Sequence, residues 1–199
     1  MIKEGNLFLL LFLVKKNVPM KNEIIDAIKL IFQEKGNMNY GENITQLEHA
    51  IQCWTLAVES NASLELRVAA FLHDLGHLTY EPSSEFEKDF KHEELASTIL
   101  LEWGFPEKVT TLVNSHVWAK RYLVSNEAGY SDKLSLASLN SFNLQGGYLS
   151  VAESEKYSER PYFEECLQLR RWDDEGKRLD LGSEISNNVW KDLEECING

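Results

Sequence analysis

The sequence has few cysteines, and they show no pattern typical of a disulfide framework or a zinc site. Cys53, Cys166 and Cys196 are scattered, odd in number and form no C-x-x-C pair. Cysteine-ligated zinc and a disulfide-stabilised secreted domain are therefore disfavoured. We expect three reduced thiols and a reducing compartment, the cytoplasm.

Positive charge is also scarce. Lys and Arg total 20 against 32 Asp and Glu, which gives a formal charge of -12. So acidic a surface argues against nucleic acid and anionic membranes as partners. A small anionic substrate stays possible, because a few local cations can hold one. No feature indicates an obligatory protein partner.

The sequence lacks a hydrophobic run long enough to cross a membrane. The longest apolar run, residues 7–14, is far shorter than the ~20 residues that a membrane-spanning helix needs. Residues 17–20 offer no small-residue cleavage site for a signal peptide. We expect Met20 to be the true start and residues 1–19 to be an extension outside the domain. A weak signal or anchor segment is the alternative.

Helical periodicity runs through nearly all of residues 20–199, which are predicted to form one domain because no repeat or low-complexity linker divides them. No convincing alternating strand pattern is present, so the predicted fold is all-α, a helical bundle. Thr45 and Glu48 fit a capping box at the start of a helix. Helices are predicted at about 21–35, 45–60, 64–77, 91–103, 106–123, 134–142, 161–172 and 187–197, with a loop at 124–131 and a turn at 145–147.

All five histidines can be placed around one doublet, His73-Asp74, on predicted helical stretches. Helix bundles build metal sites in this way, from side chains on facing helices. Four imidazoles and two carboxylates suit a pair of transition-metal ions. A packed histidine beside a capping aspartate is the alternative for a lone doublet, and the other histidines on separate helices disfavour it. The other candidate donors are His49, His77, His92, His116 and the downstream pair Asp173-Asp174.

The position of Asp74 next to His73 suggests a role for each. Neighbours on a helix point about 100° apart, so His73 could bind one ion while Asp74 bridges two. A buried carboxylate without a charge partner is costly, and two cations would supply that partner. His77, four residues after His73, could be a further ligand, a group behind the ligands or a substrate contact. Spacing alone does not choose between Asp173 and Asp174.

The order of these residues over most of 40–180 resembles the HD-domain superfamily. The doublet alone would imply a metal-dependent phosphohydrolase. Longer segments resemble a narrower group, the HD-domain mixed-valent diiron oxygenases of phosphonate catabolism, which are relatives of myo-inositol oxygenase. These segments are Tyr40-Gly41-Glu42, Gln46-Leu47-Glu48-His49, HVWAKRYLVS at 116–125, LAS at 136–138, LQGG at 144–147 and LRRWD at 169–173.

The resemblance implies O2-dependent cleavage of the C–P bond of a small 1-hydroxyphosphonate. The best-known member of the family converts 2-amino-1-hydroxyethylphosphonate to glycine and phosphate. The implied cofactors are two iron ions in the Fe(II)/Fe(III) state, with O2 as co-substrate. The Tyr-to-Glu spacing here is one residue shorter than in the glycine-forming enzyme, so the substituent on the substrate amine stays open.

The resemblance also assigns roles to individual residues. Tyr40 and Glu42 would cover the active site before substrate binds, and the Glu would also meet the substrate ammonium. The metal ligands would be His49, His73, Asp74, His92, His116 and Asp173, with Asp74 bridging. The phosphonate would be held by His77, Lys120, Ser138, Gln145 and Arg170.

Helical spacing agrees with two of these assignments. Lys120 follows His116 by four residues and Arg170 precedes Asp173 by three, so each cation would lie beside a ligand. A phosphonate dianion needs such cations, and Arg can bind it in a bidentate manner. Two alternatives to the oxygenase are kept, a phosphohydrolase of nucleotides or phosphate esters and a catalytically silent HD module.

Overall fold

The computed structural model describes residues 20–39, 43–79, 91–179 and 186–199. The described part contains no strand beyond an isolated β-bridge between Asn39 and Thr45, so the predicted all-α fold is confirmed. Its ten α-helices are α1 (Lys21–Lys35), α2 (Gln46–Glu59), α3 (Leu64–Leu72), α4 (Leu75–Thr79), α5 (His92–Glu102), α6 (Glu107–Asn126), α7 (Leu136–Leu144), α8 (Val151–Ser158), α9 (Phe163–Glu175) and α10 (Asn187–Asn198).

Helix α3 lies at the centre of the bundle. It packs against α2, α6, α9 and α10. Its side chains are buried on nearly every side, as expected of a helix with neighbours all round. Phe71 contacts Phe32 of α1 and Trp190 of α10. Because α3 leads directly into His73 and Asp74, this doublet follows a helix that is buried in the centre of the core.

Helix α9 brings the downstream aspartates to the same region. It packs against α2, α3 and α6, while α5 packs along α6 and against α4. The helices that carry the histidines therefore surround the end of α3. The capping box predicted for α2 is confirmed, because Thr45 Oγ1 accepts from Glu48 N at 3.1 Å and Glu48 Oε2 accepts from Thr45 N at 2.6 Å.

The single helix predicted over residues 64–77 is wrong at its most important point. The structure breaks it into α3, which ends at Leu72, and α4, which begins at Leu75. In the turn between them, the Asp74 carbonyl accepts from His77 N at 2.9 Å, and His73 Nδ1 donates to the Ala70 carbonyl at 3.0 Å. The apolar pattern continues across the break, which is why the pattern predicted one helix.

Smaller corrections concern other boundaries. Helix α6 continues to Asn126, so residues 124–126 are helical and do not belong to the predicted loop. Helix α7 begins and ends two residues later than predicted. Helix α8 was not predicted, because only Ser154 and Tyr157 of its residues are buried and its apolar periodicity is correspondingly weak.

Two further predictions fall on parts of the chain that the structure leaves undescribed. Residues 1–19, Tyr40 and Glu42 all lie outside the described residues. Among the helices that are described, none is both long and apolar enough to span a bilayer.

Candidate metal centre

Three of the candidate imidazoles are held through one ring nitrogen by a backbone carbonyl. His73 Nδ1 and His116 Nδ1 lie 3.0 and 2.7 Å from the carbonyl three residues earlier. His49 Nδ1 lies 2.8 Å from the Gly176 carbonyl, at the end of α9. Because a ring nitrogen that donates to a carbonyl carries the proton, Nε2 of each ring presents a lone pair. Such outer contacts fix the orientation of histidines that bind metal.

The Nε2 atoms meet in two pairs inside the protein. His49 Nε2 lies 3.2 Å from His73 Nε2, and His92 Nε2 lies 2.9 Å from His116 Nε2. Burial, with His73 beside it, lowers the pKa of His116 to about 4. Burial, with His77 and His116 nearby, also holds the pKa of His92 well below its usual value.

The facing imidazoles of each pair suit a cation bound between them. Two lone pairs at these distances repel, and the low pKa values of His92 and His116 argue that a proton does not relieve the repulsion at neutral pH. Nitrogen–metal bonds of roughly 2.0–2.1 Å place neighbouring donors of one ion roughly 3 Å apart. The observed separations of 3.2 and 2.9 Å therefore fit metal ligation.

The Asp74 carboxylate lies between the two histidine pairs. Its Oδ2 is 3.7 Å from His49 Nε2 and 3.5 Å from His73 Nε2. Its Oδ1 is 3.5 Å from His92 Nε2 and 3.6 Å from His116 Nε2. Burial alone would raise the pKa of Asp74, but His73 and the neighbouring histidines hold it well below its usual value. The group is thus an ionised carboxylate that offers one oxygen to each pair.

The two adjacent downstream aspartates point in different directions. Asp173 Oδ1 is 3.4 Å from His49 Nε2, and its Oδ2 is 3.9 Å from His73 Nε2. Asp174 instead accepts from Tyr130 Oη and from Arg170, whose Nε lies 3.2 Å from Asp174 Oδ2. Burial would raise the pKa of Asp173, and the Arg170 guanidinium overcomes this and keeps it low. Asp173 is therefore the one that faces the imidazoles.

Cys53 is a further donor-type side chain close to the first pair. Its Sγ lies 3.7 Å from His49 Nε2 and contacts the Trp172 carbonyl at 3.5 Å. The trio His49, Cys53 and His73 could hold an ion by distance alone. Burial, with the carboxylates of Asp173 and Asp74, raises the pKa of this thiol well above its usual value. We favour Asp173 over Cys53 as the third donor, because its two oxygens lie 3.4 Å from His49 Nε2 and 3.9 Å from His73 Nε2.

His77 lies at the edge of the second pair. Its ring stacks on His92 with centroids 4.0 Å apart, and its Nε2 is 4.0 Å from Asp74 Oδ1. Unlike the other four histidines, which are buried, its side chain is 34% exposed. The geometry permits either a further ligand or a contact to a molecule that enters from the open side.

Predicted anion-binding residues adjoin the first pair. Arg170, which is buried, donates to both Asp173 and Asp174. Lys120, also buried, donates to Ser141 Oγ at 2.8 Å, and burial together with Arg170 lowers its pKa to about 7. Two buried basic side chains, those of Arg170 and Lys120, therefore lie near the Asp173 carboxylate.

Two polar side chains of the predicted anion-binding set belong to α7 and the residue that follows it. Ser138 is buried, and its Oγ lies 2.9 Å from Lys177 Nζ. The Gln145 Oε1 atom is buried and has no hydrogen-bond partner among the residues that the structure describes. The oxygen and nitrogen of a Gln amide can exchange places, so this position can present N–H donors to an anion.

Comparison with known proteins identifies the family. Residues 47–141 match the HD domain. The chain is 36% identical over 179 residues to hydroxymethylphosphonate dioxygenase of Gimesia maris. The matched region covers 88% of this chain and 89% of the relative. The chain belongs to the HD-domain phosphonate oxygenases.

Two other relatives extend the match. The chain is 36% identical over 165 residues to the glycine-betaine-forming 1-hydroxy-2-(trimethylamino)ethylphosphonate dioxygenase of Leisingera caerulea, with 81% of this chain and 84% of the relative covered. An uncharacterized protein of Acanthamoeba polyphaga mimivirus is 34% identical over 160 residues, 78% of this chain and 73% of that protein. The prediction of an HD-domain phosphonate oxygenase is confirmed at the level of family and enzyme class, while residue roles and the metal's identity stay predictions.

Sequence reasoning missed two side chains that the structure brings to this oxygenase's site. Tyr130 contacts Asp174, and Lys177 contacts Ser138. Tyr130 lies in a segment predicted as loop, where no pattern marks it. Lys177 follows Asp173 by four residues, and that helical spacing was the available signal.

Proposed function

We propose that this protein uses O2 to cleave the C–P bond of a small 1-hydroxyphosphonate at a pair of iron ions. The observation that carries the proposal is the Asp74 carboxylate, which turns one oxygen to each pair of imidazoles. A single-metal hydrolase has no use for the second pair. The proposed ligands of one ion are His49, His73, Asp173 and Asp74, and those of the other are His92, His116 and Asp74.

The anionic end of the substrate is proposed to lie against the basic side chains near Asp173. Arg170, Lys120, Ser138 and Gln145 would hold the phosphonate there, since charged donors bind such groups most strongly. His77, on the open side, would contact the same group. One relative is named for hydroxymethylphosphonate and another for a trimethylammonium compound, at equal identity to this chain. The proposal therefore extends to 1-hydroxyphosphonates with different substituents.

The overall reaction balances with O2 as the only oxidant. The C1–H and C1–P bonds break, C1 becomes a carboxylate, and the phosphonate leaves as phosphate with both atoms of O2 in the products. Bound Fe(II)/Fe(III) would supply the site and the electrons for O2 activation. The protein's own part is to present neutral Nε2 lone pairs and ionised carboxylates, to orient the phosphonate, and to cover the site with Tyr40 and Glu42.

The decisive experiment is oxygen consumption after anaerobic loading with iron. We expect O2 uptake that matches phosphate release when hydroxymethylphosphonate, 2-amino-1-hydroxyethylphosphonate or its trimethylated form is added. The relative rates among these three substrates assign the substituent. Asp74→Asn, which removes the charge of the proposed bridge, is expected to lose at least about 100-fold in kcat.

The phosphohydrolase alternative predicts the opposite behaviour. Phosphate released from a phosphoester without O2, and none released from the phosphonates, would overturn the proposal.

We also propose that the protein works in the cytoplasm, because its three cysteines are free and buried.

A further inference from the structure

The segment that follows α9 is anchored to α2 on both sides of Lys177. His49 Nδ1 donates to the Gly176 carbonyl at 2.8 Å. The Gln52 amide donates to the Arg178 carbonyl at 2.8 Å and accepts from Arg178 N at 2.9 Å. Because backbone groups before and after Lys177 are both held, the position of its Cα is fixed relative to the histidines.

From this fixed backbone the Lys177 side chain runs inward. It is only 10% exposed. Its Nζ donates to Ser138 Oγ at 2.9 Å, whereas Asp173 Oδ1 and Asp174 Oδ1 are both 3.9 Å away. A lysine is rarely buried without a function for its charge, since desolvating an ammonium is costly.

The charges nearby show why another cation is needed there. Arg170 forms ion pairs with both Asp173 and Asp174, so the single charge of the guanidinium faces two carboxylates. Without further cations this group of three carries a net charge of minus one and would repel a phosphonate dianion. Lys177 supplies the positive charge that balances this group, and a protonated Lys120 adds a second one.

We infer that Lys177 is a further anion-binding residue, which contacts the substrate's phosphonate group alongside Ser138. The inference rests on the proposed function for the identity of the anion. The ammonium and the hydroxyl would donate to phosphonate oxygens from one side, while Lys120 and Arg170 supply charge from the helices α6 and α9. Lys177 directly follows Gly176, whose carbonyl contacts a candidate metal ligand, His49.

Methylphosphonate tests the inference because it lacks the 1-hydroxyl and is not consumed. Binding to the metal-loaded protein can be measured by isothermal titration calorimetry. Lys177→Met keeps the aliphatic stem and removes the charge, and we expect its affinity to fall about 10- to 100-fold. Lys177→Arg keeps the charge and is expected to stay within about fivefold of the wild type.

The matched control is Lys156→Met, which makes the same change in net charge at an exposed position of α8. Its methylphosphonate affinity should equal that of the wild type. Metal content, measured by elemental analysis, should be the same in all four proteins. If Lys177 served only to neutralise Asp173, the methylphosphonate affinity of each metal-loaded site would be unchanged in Lys177→Met, and the inference would be overturned.

The remaining outcomes are also decisive. Should Lys177→Met not fold, Lys177→Gln, which keeps a polar end, provides the same comparison. Failure of wild-type protein to bind methylphosphonate contradicts the inference as well. Failure of the proposed function would show itself separately, as absence of O2-dependent phosphate release in a protein whose methylphosphonate binding still depends on Lys177.

Discussion

The surroundings of the Lys120 side chain disfavour its protonated, charged form. Burial and the neighbouring Arg170 lower its pKa from the usual 10.5 to about 7. Between these two values the unfolded chain binds a proton that the folded protein does not. This group therefore makes the free energy of unfolding rise as the pH rises from about 7 to 10.5.

The consequence for substrate binding has the opposite sign. A phosphonate is held best when Lys120 is protonated, so we expect methylphosphonate affinity to fall as the pH rises through about 7. Bound metal cations would lower the pKa of Lys120 further, because they repel its ammonium group. Lys120→Arg stays charged and should lose this pH dependence. Dividing the wild-type affinity by that of Lys120→Arg at each pH removes the effect of the ligand's own ionisation. A ratio that does not change with pH would contradict the assignment of Lys120 to phosphonate binding.

At the scale of elements, the contact between α4 and the start of α5 controls the second histidine pair. Gly76 lies so close to His92 that an added Cβ would collide with the His92 backbone, at 2.8 Å from its carbonyl carbon. Gly76 is helical, and alanine would otherwise favour the helix. We expect Gly76→Ala to push α5 away, to cost about 1–3 kcal/mol in stability and to lower metal content.

Gly104, at the other end of α5, supplies the control for that prediction. Its φ of +79° strains any residue with a side chain, but no atom lies within 4 Å of an added Cβ. Gly104→Ala should therefore lose stability without loss of metal. Thermal unfolding and elemental analysis of both variants separate the two effects. Equal metal contents in the two would show that Gly76 does not position His92.

The elements themselves were largely predictable where local chemistry decides them. The capping box of Thr45 and Glu48 marked the start of α2, and apolar periodicity marked α1, α3 and α10. The break at His73-Asp74 was not predictable, because it depends on contacts with α5 and with imidazoles from distant helices. Helix α8 escaped prediction for a related reason, since most of its side chains are not buried.

At the scale of the whole molecule, metal removal tests the arrangement of the six donors. Buried lone pairs and carboxylates repel one another without cations, and an ion that binds only the folded state stabilises it. We expect a chelator to lower the Tm by about 5–10 °C and iron to restore it. His116→Ala should show a smaller change. An unchanged Tm in protein proved free of metal would contradict a site built by these residues.

The set of candidate donors could be proposed from the sequence, but its geometry could not. Residue types and the family resemblance nominated six donors, while spacing left Asp173 and Asp174 equivalent. The family resemblance selected Asp173, and in the structure Asp173 faces His49 while Asp174 contacts Tyr130. Lys177 was missed because its position depends on the turn after α9 and on the hydrogen bonds between Gln52 and Arg178.

The wide separation of the donors along the chain has a consequence for how the protein is made. Synthesis proceeds from the N-terminus, so His49 and the His73-Asp74 doublet leave the ribosome long before Asp173. Until α9 has been translated and has packed on α2, the first pair lacks the Asp173 carboxylate and His49 lacks the carbonyl of Gly176 that orients it. The full set of candidate donors is therefore assembled only after translation of nearly the whole domain.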